Sequence, residues 1–234
     1  MLAPPAWPHL LGTDEFGRDI LSRLLWGGRI SLAVAGGALV VAAGIGVPTG
    51  VTAAYISRFA DTILMRLTDL IIIFPPILLA VAIVSFLGAN PVNLAVIIGV
   101  TNFPRFSRLA YAVTMQARTN LYVEASRALG AKDARILVRD ILPAILPILL
   151  VDAALVGGFA ILTESGLSFL GLGIQPPTPS WGLMIADARM IMAQSPLAIV
   201  WPSLTITTTV LAFQITADGL RDMLDPRSPH QYEF

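Results

Sequence analysis

"LIIIFPPILLAVAIVSFLG", residues 70–88, decides the fold. The run carries no charged residue and does not alternate between apolar and polar positions. A membrane β-barrel would show that alternation over short strands, whereas an unbroken apolar run of about 20 residues matches a membrane-crossing helix. Pro75 and Pro76 lie in its middle. A proline ring removes a backbone donor and clashes with the preceding turn, so a kink is expected there. That kink reads either as a gate hinge or as a static bend, since spanning helices tolerate proline.

Outward from this run, the composition agrees with a lipid-facing chain. Of 234 residues, 56% are hydrophobic and only 13% charged, against about 25% charged in a soluble domain. Mean hydropathy is +0.77. The expected architecture is all-α and integral to the membrane: a polytopic bundle of about five spans. They lie near 30–56, 63–87, 92–114, 141–163 and 196–217. Residues 1–29 form a lead-in, 30–217 the membrane domain and 218–234 a tail. Loops near 115–140 and 164–195 interrupt the domain.

The third span is the least apolar, because Arg105 and Arg108 fall in its second half. A charge at a helix centre costs about 2.5–3.5 kcal/mol. Snorkelling of both arginines to the interface is the reading that cost favours, with the bundle interior as the alternative. Basic residues gather in 105–139, at Arg58 and Arg66, and at Arg221 and Arg227, which hold most of the chain's 15. The positive-inside rule then puts these segments in the cytoplasm and the amino end outside. The Pro-rich start has no basic patch before an apolar run, so it does not read as a signal peptide.

Several chemistries are excluded. There is no cysteine, hence no disulfide and no Cys-based metal site. His9 and His230 sit near the two ends, so no metal site is expected. Lys132, the sole lysine, is followed by Asp133, so the phosphate-binding loop of nucleotide hydrolases is missing. Zero net charge gives no pull on nucleic acid. No cofactor is expected on this chain, and no catalytic constellation is visible.

Against this background "NLYVEASRALGAKDARILVRDILP", 120–143, is a charged cassette between apolar runs. Asn120 or Thr119 can cap a helix from Leu121 through Tyr122 to Leu129, and Gly130 ends it. Asp133 can cap a second helix from Ala134. Pro143 and Pro147 loosen the start of the fourth span. Ala125, Ala128 and Leu129 lie on or near one side, open to close approach by a partner. Glu124 can pair with a basic residue on that partner, or with Arg127. An ordinary amphipathic interfacial loop is the other reading.

These residues resemble a known pattern. Glu124-Ala125-Ser126, Gly130 and Leu142-Pro143 are similar to the "EAA…G…LP" cassette of ABC-importer permeases. Ser126 stands in for the second alanine. Asp140 takes the usual aliphatic position, with Ile141 displaced by one. "LGTDEFGRDILSRLLWGGRISL" (11–32), "RLTDLIIIFPPILLAVAIVSFLG" (66–88), "ESGLSFLGLGIQPPTPSWG" (164–182) and "ADGLRDMLDPR" (217–227) resemble the C-type permease subunit of the dipeptide/oligopeptide/nickel importer family.

That resemblance implies an ABC importer type I permease fold, usually of six spans, so a further helix is expected ahead of Met1. It implies an inner-membrane subunit that works with a second permease, two cytoplasmic ATPases holding ATP and Mg, and an external binding protein. Leu121–Gly130 would be the coupling helix and Pro143 part of its joint. The substrate would be a di- or oligopeptide or a related small solute.

Three further features carry expectations. Gly46 and Gly50 in "AGGALVVAAGIGVPTG" (35–50) permit close helix packing, internal or against the second permease. Asp152 is a charge within a span, read as a pathway group or as a carboxylate bonded to a neighbouring helix. On the first reading the alternative function is a proton-coupled secondary carrier. Asp69, near a span end, reads as hydrated. Glu164 opens the external Pro-rich block, whose backbone must lie against protein, and which would face the vestibule or the binding protein.

Overall fold

The computed structural model describes residues 2–56 and 58–224. Part of the tail, residues 225–234 with Arg227 and His230, lies outside the described residues, as does the side chain of Arg58.

After a lead-in held by two isolated bridges, the helices run α1 (Ile20–Tyr55), α2 (Arg58–Ile72), α3 (Pro76–Leu87), α4 (Pro91–Ala117) and α5 (Leu121–Ala128). Then α6 (Asp133–Ile136) passes through a π turn (Leu137–Ile141) into α7 (Leu142–Phe169), followed by α8 (Trp181–Met190) and α9 (Leu197–Leu224). Among the described residues there is no β-strand.

By length and composition α1, the continuous α6–α7 unit and α9 can each cross a membrane. The α2–α3 pair adds a fourth if counted as one broken span. At 27 residues α4 is about 40 Å long. Asn102, Arg105 and Arg108 dilute its apolar character, and it packs against α1 more extensively than any other pair of helices.

The second expected span, 63–87, differs in its middle. It is two helices meeting at 86° rather than one kinked helix. Pro75 occupies the N-cap of α3 and Pro76 its first turn. A missing N–H is harmless there, because the first-turn donors have no helical partner anyway.

The α1–α4 seam explains the glycines. A Cβ on Gly46 would sit 2.5 Å from the Phe103 carbonyl oxygen, and one on Gly50 would meet the Ser107 carbonyl. From the other side, a Cβ on Gly99 would lie 2.5 Å from that of Val41. Close approach needs the bare backbone on both helices. The glycine seam is thus internal to the chain. A second pair, α7 and α9, packs with Phe213 over Gly157, and α7 joins the two pairs by touching α1 and α4.

The apolar core falls into two clusters. One, around Leu24, Leu94, Ile161 and Trp181, lies toward the lead-in. The other, around Phe106, Val123, Ile136 and Ile141, lies toward the cassette.

Candidate functional site

The cassette helix α5 is closed by its glycine. Gly130 has φ +80°, its N–H donates to Arg127 O at 3.0 Å, and the Ala131 N–H donates to Ser126 O at 3.0 Å. This is the Schellman arrangement, which needs a left-handed residue where an ordinary side chain is strained. The start differs from expectation. Asn120 stands at the N-cap, but only its carbonyl serves the helix, and Asp133 lies inside α6 rather than capping it. The Asp133 carboxylate instead accepts from Tyr55 Oη at 3.0 Å, at the end of α1.

One side of α5 is anchored and the other is bare. Val123 is fully buried in the cassette-end core. Leu121, Ala125, Ala128 and Leu129 are exposed, with Leu121 at 81% and Leu129 at 88%. Positions i, i+4, i+7 and i+8 form one stripe. Tyr122 and Glu124 are exposed beside it, and Ser126 is half-buried. Arg127 turns back to Tyr55, donating to its hydroxyl at 3.2 Å. That hydrogen bond, helped by the charges of Asp133 and Glu124, raises the Arg127 pKa further above its ordinary value.

Behind α5 lies a cavity of about 850 Å³ between α4, α7 and the end of α9. Tyr122, Pro143 and Asp152 all line it, so the structure gathers three of the expected site residues. Pro143, exposed, follows the π turn, in which Leu142 N bonds five residues back to Leu137 O. Pro75 and Pro76 are exposed on the far α2–α3 break, and Glu164 is at the opposite end of α7.

Asp152 is not alone. Arg105 donates to its Oδ1 from Nε at 2.9 Å and from Nη2 at 2.6 Å. Arg105 is exposed, and its guanidinium meets a carboxylate on α7, the neighbouring-helix bond expected as one reading of Asp152. A paired charge avoids the cost of isolated burial. Arg108 likewise pairs with Asp69 at 2.7 Å, so Asp69 bridges α2 and α4 rather than simply facing water.

At the lead-in end Glu164 is fully buried. Its carboxylate accepts from Ser31 Oγ at 3.0 Å and from Ser168 Oγ at 2.8 Å. Ser180 caps α8 by accepting from Leu183 N at 3.2 Å, and its hydroxyl lies 3.4 Å from Ser168 Oγ. Trp181 N donates to Ser31 Oγ at 3.3 Å and its indole N–H to Leu24 O at 2.9 Å. The Ser180–Trp181 end of the "PPTPSWG" block is therefore tied against α1 and α7, while Pro176 and Pro177 are exposed. Nearby, Asp14 accepts from Arg18 Nε and Arg23 Nη1, both at 2.6 Å, and Arg23 also reaches Asp187 at 3.3 Å. Burial pushes the Asp14 carboxyl up, but the hydrogen bonds from Arg18 and Arg23 outweigh it and hold it below its ordinary 3.8.

Sequence reasoning missed Arg105 as the partner of Asp152, and Ser31 and Arg23 as ties. The one available signal was the opposite charge of two residues within spans.

Residues 46–228 match the family described as "Binding-protein-dependent transport system inner membrane component". The chain belongs to this family. It is 44% identical, over 95% of its length and 74% of the relative's, to the glutathione transport system permease protein GsiD of Pectobacterium atrosepticum. The GsiD protein of Escherichia coli is 42% identical with the same coverage. A solved chain of the MetNI methionine ABC transporter, described as inward facing, superposes with a TM-score of 0.69 at 19% identity. That superposition covers 89% of this chain and 98% of the other, and shows a shared fold. This binding-protein-dependent permease thus has the helical importer fold that the cassette implied.

Proposed function

We propose that this permease lines half of the translocation pathway of an ATP-driven importer for peptide-like solutes, and that a separate ATPase grips α5. The observation that carries the coupling role is the bare stripe Leu121–Ala125–Ala128–Leu129 on a helix anchored by buried Val123. Charged neighbours on the cassette make a lipid partner unfavourable, so an aqueous protein groove is the fitting occupant. ATP and Mg belong to that ATPase, and this chain makes no covalent change to its cargo. The distribution of basic residues supports a cytoplasmic face for α5 and the end of α9. A second permease completes the pathway and an external protein delivers solute. The glutathione permeases among its relatives support a short peptide as cargo. The family match favours this reading over the proton-coupled carrier that Asp152 suggested.

The test is Leu121→Asp with Leu129→Asp. Neither side chain is buried in this chain, so insertion and folding should stand. Capture of the ATPase subunits and ATP-driven uptake should fall by about a hundredfold, the scale of losing two interface anchors. Undiminished capture would refute the coupling role. The cysteine-free chain also permits Leu121→Cys, which an impermeant thiol reagent should label only from the cytoplasmic side.

A further inference from the structure

Arg18 and Arg23 at the lead-in end spend their charge on Asp14 and Asp187. Two other arginines there have no carboxylate partner among the described residues, and each lies over an aromatic ring instead. The Arg29 guanidinium carbon is 4.8 Å from the centre of the Trp26 ring, and that of Arg189 is 5.0 Å from the centre of the Phe169 ring. Both arginines and Trp26 are exposed. A guanidinium over a ring uses its face and keeps its N–H edge for an anion.

The two pairs share one height. Ser31 on α1 bonds Glu164 on α7, and Leu39 lies 3.3 Å from where a Cβ on Gly157 would sit, so the two helices run antiparallel. Trp26 and Phe169 are each five residues outward from the Ser31–Glu164 contact, about 7.5 Å. Arg29 is a turn deeper than Trp26, but helical side chains lean toward the N-terminus, which carries its charge outward over the ring. Beneath each ring the exposed side of its helix is apolar: Ala33 and Val40 on α1, Phe159 and Leu162 on α7.

A second boundary lies one bilayer away. Gly46 packs on Phe103 and Phe106, which flank Arg105, and it is twenty residues from Trp26, about 30 Å. On α7 Asp152, the partner of Arg105, is seventeen residues from Phe169, about 25 Å. From Ile30 to Tyr55 α1 has no charged residue, and the only one on α7 between Asp152 and Phe169 is the fully buried Glu164. The hydrocarbon core of a bilayer is about 30 Å thick.

From this geometry we infer that Arg29 on Trp26 and Arg189 on Phe169 form a rim that binds phospholipid phosphates in the leaflet at the lead-in end. The rings stand at the edge of the hydrocarbon, and each guanidinium reaches phosphate oxygens through its N–H donors. An external protein would suit the same cations, but it would not require the rings to lie level, nor the uncharged interval beneath them to match hydrocarbon. The inference needs only a chain in a membrane and stands apart from the coupling role of α5.

The absence of cysteine permits a site-resolved test in the complex assembled with its partner subunits. Leu25 and Leu170 are exposed neighbours of the two rings. In Leu25→Cys, a phosphatidylethanolamine carrying a maleimide on its headgroup should couple about tenfold faster than a maleimide-bearing diacylglycerol with the same chains, the scale of one charge-assisted contact. Adding Arg29→Gln should abolish that ratio, and adding Arg189→Gln should leave it unchanged. In Leu170→Cys the two arginines should exchange roles. Neither arginine is buried, so folding should stand. Equal coupling of the two lipids, or a ratio that survives loss of the local arginine, would overturn the proposal. A ratio that collapses in millimolar inorganic phosphate would assign the cations to a free anion and overturn it too. If Arg29→Gln instead lowers capture of the external binding protein and leaves the ratio intact, that protein is the occupant and the proposal fails.

Depth gives the second readout. In vesicles opened to reagent on both sides, a water-soluble maleimide should label Ser22→Cys, one turn outside Trp26, and spare Ala33→Cys, about 10 Å inside it. Equal labelling would place water where the rim requires hydrocarbon, and would sink the inference.

Discussion

The two ends of this molecule are built by opposite rules. At the lead-in end polar groups are buried and joined to one another. Glu164 ties Ser31 and Ser168, Trp181 reaches Leu24 and Ser31, and Asp14 gathers Arg18 and Arg23. At the cassette end Tyr55 meets Asp133 and Arg127 on the surface, and α5 is fastened by a single buried side chain, Val123. Buried, satisfied networks rigidify, whereas exposed hydrogen bonds and sparse burial mark the parts that open at low cost. The difference suits a lever at one end working against a fixed frame at the other.

That contrast can be broken most severely at Glu164. Glu164→Ala would strand two buried hydroxyls and leave a void, so a loss of about 3–4 kcal/mol is expected, read as a lower unfolding midpoint of the assembled complex. Glu164→Gln, which keeps an acceptor, should lose less. If Glu164→Ala unfolds at the parent midpoint, the lead-in end is not a frame.

Gly50→Val tests the seam between the ends. The new side chain would meet the Ser107 carbonyl and the Ala110 Cβ, and backbone cannot yield as a flexible side chain can. A destabilisation of about 2–3 kcal/mol is expected from overpacking, measured the same way.

Gly130→Ala addresses the lever alone. Holding alanine at φ +80° costs about 1–2 kcal/mol, confined to the cassette. Faster amide exchange in α5 with an unchanged global midpoint is the expected signature. A drop in the global midpoint instead would mean that α5 belongs to the frame.

The smallest expected effect is the acid response of the lead-in. The folded Asp14 carboxyl is held below its ordinary value. Its contribution is therefore complete above the unfolded value near 3.8 and is lost as pH falls through the folded value. Asp14→Asn should lower the unfolding midpoint at neutral pH, leave it nearly unchanged at the acid end, and so flatten that acid limb.

Local features were legible in the sequence because their causes are local. Apolar runs without alternation gave helices, and Gly130 ended α5 where a left-handed residue was needed. The cassette spacing from Glu124 to Gly130 to Pro143 pointed to the family to which the chain belongs. Capping was less legible at 119–133, because Asn120 and Asp133 each have several polar neighbours to choose from, and Tyr55 was the partner that Asp133 took.

By itself, then, the sequence determined that the chain is helical, lipid-facing and interrupted by a charged cassette, since hydropathy and backbone geometry act over a few residues. Tertiary structure alone decided which distant groups met: Arg105 with Asp152 across 47 positions, and Ser31 with Glu164 across 133. It also decided that the run at 70–88 breaks by 86° rather than bending. Two prolines permit a break, but its angle goes with the packing of α2 and α3 on α4.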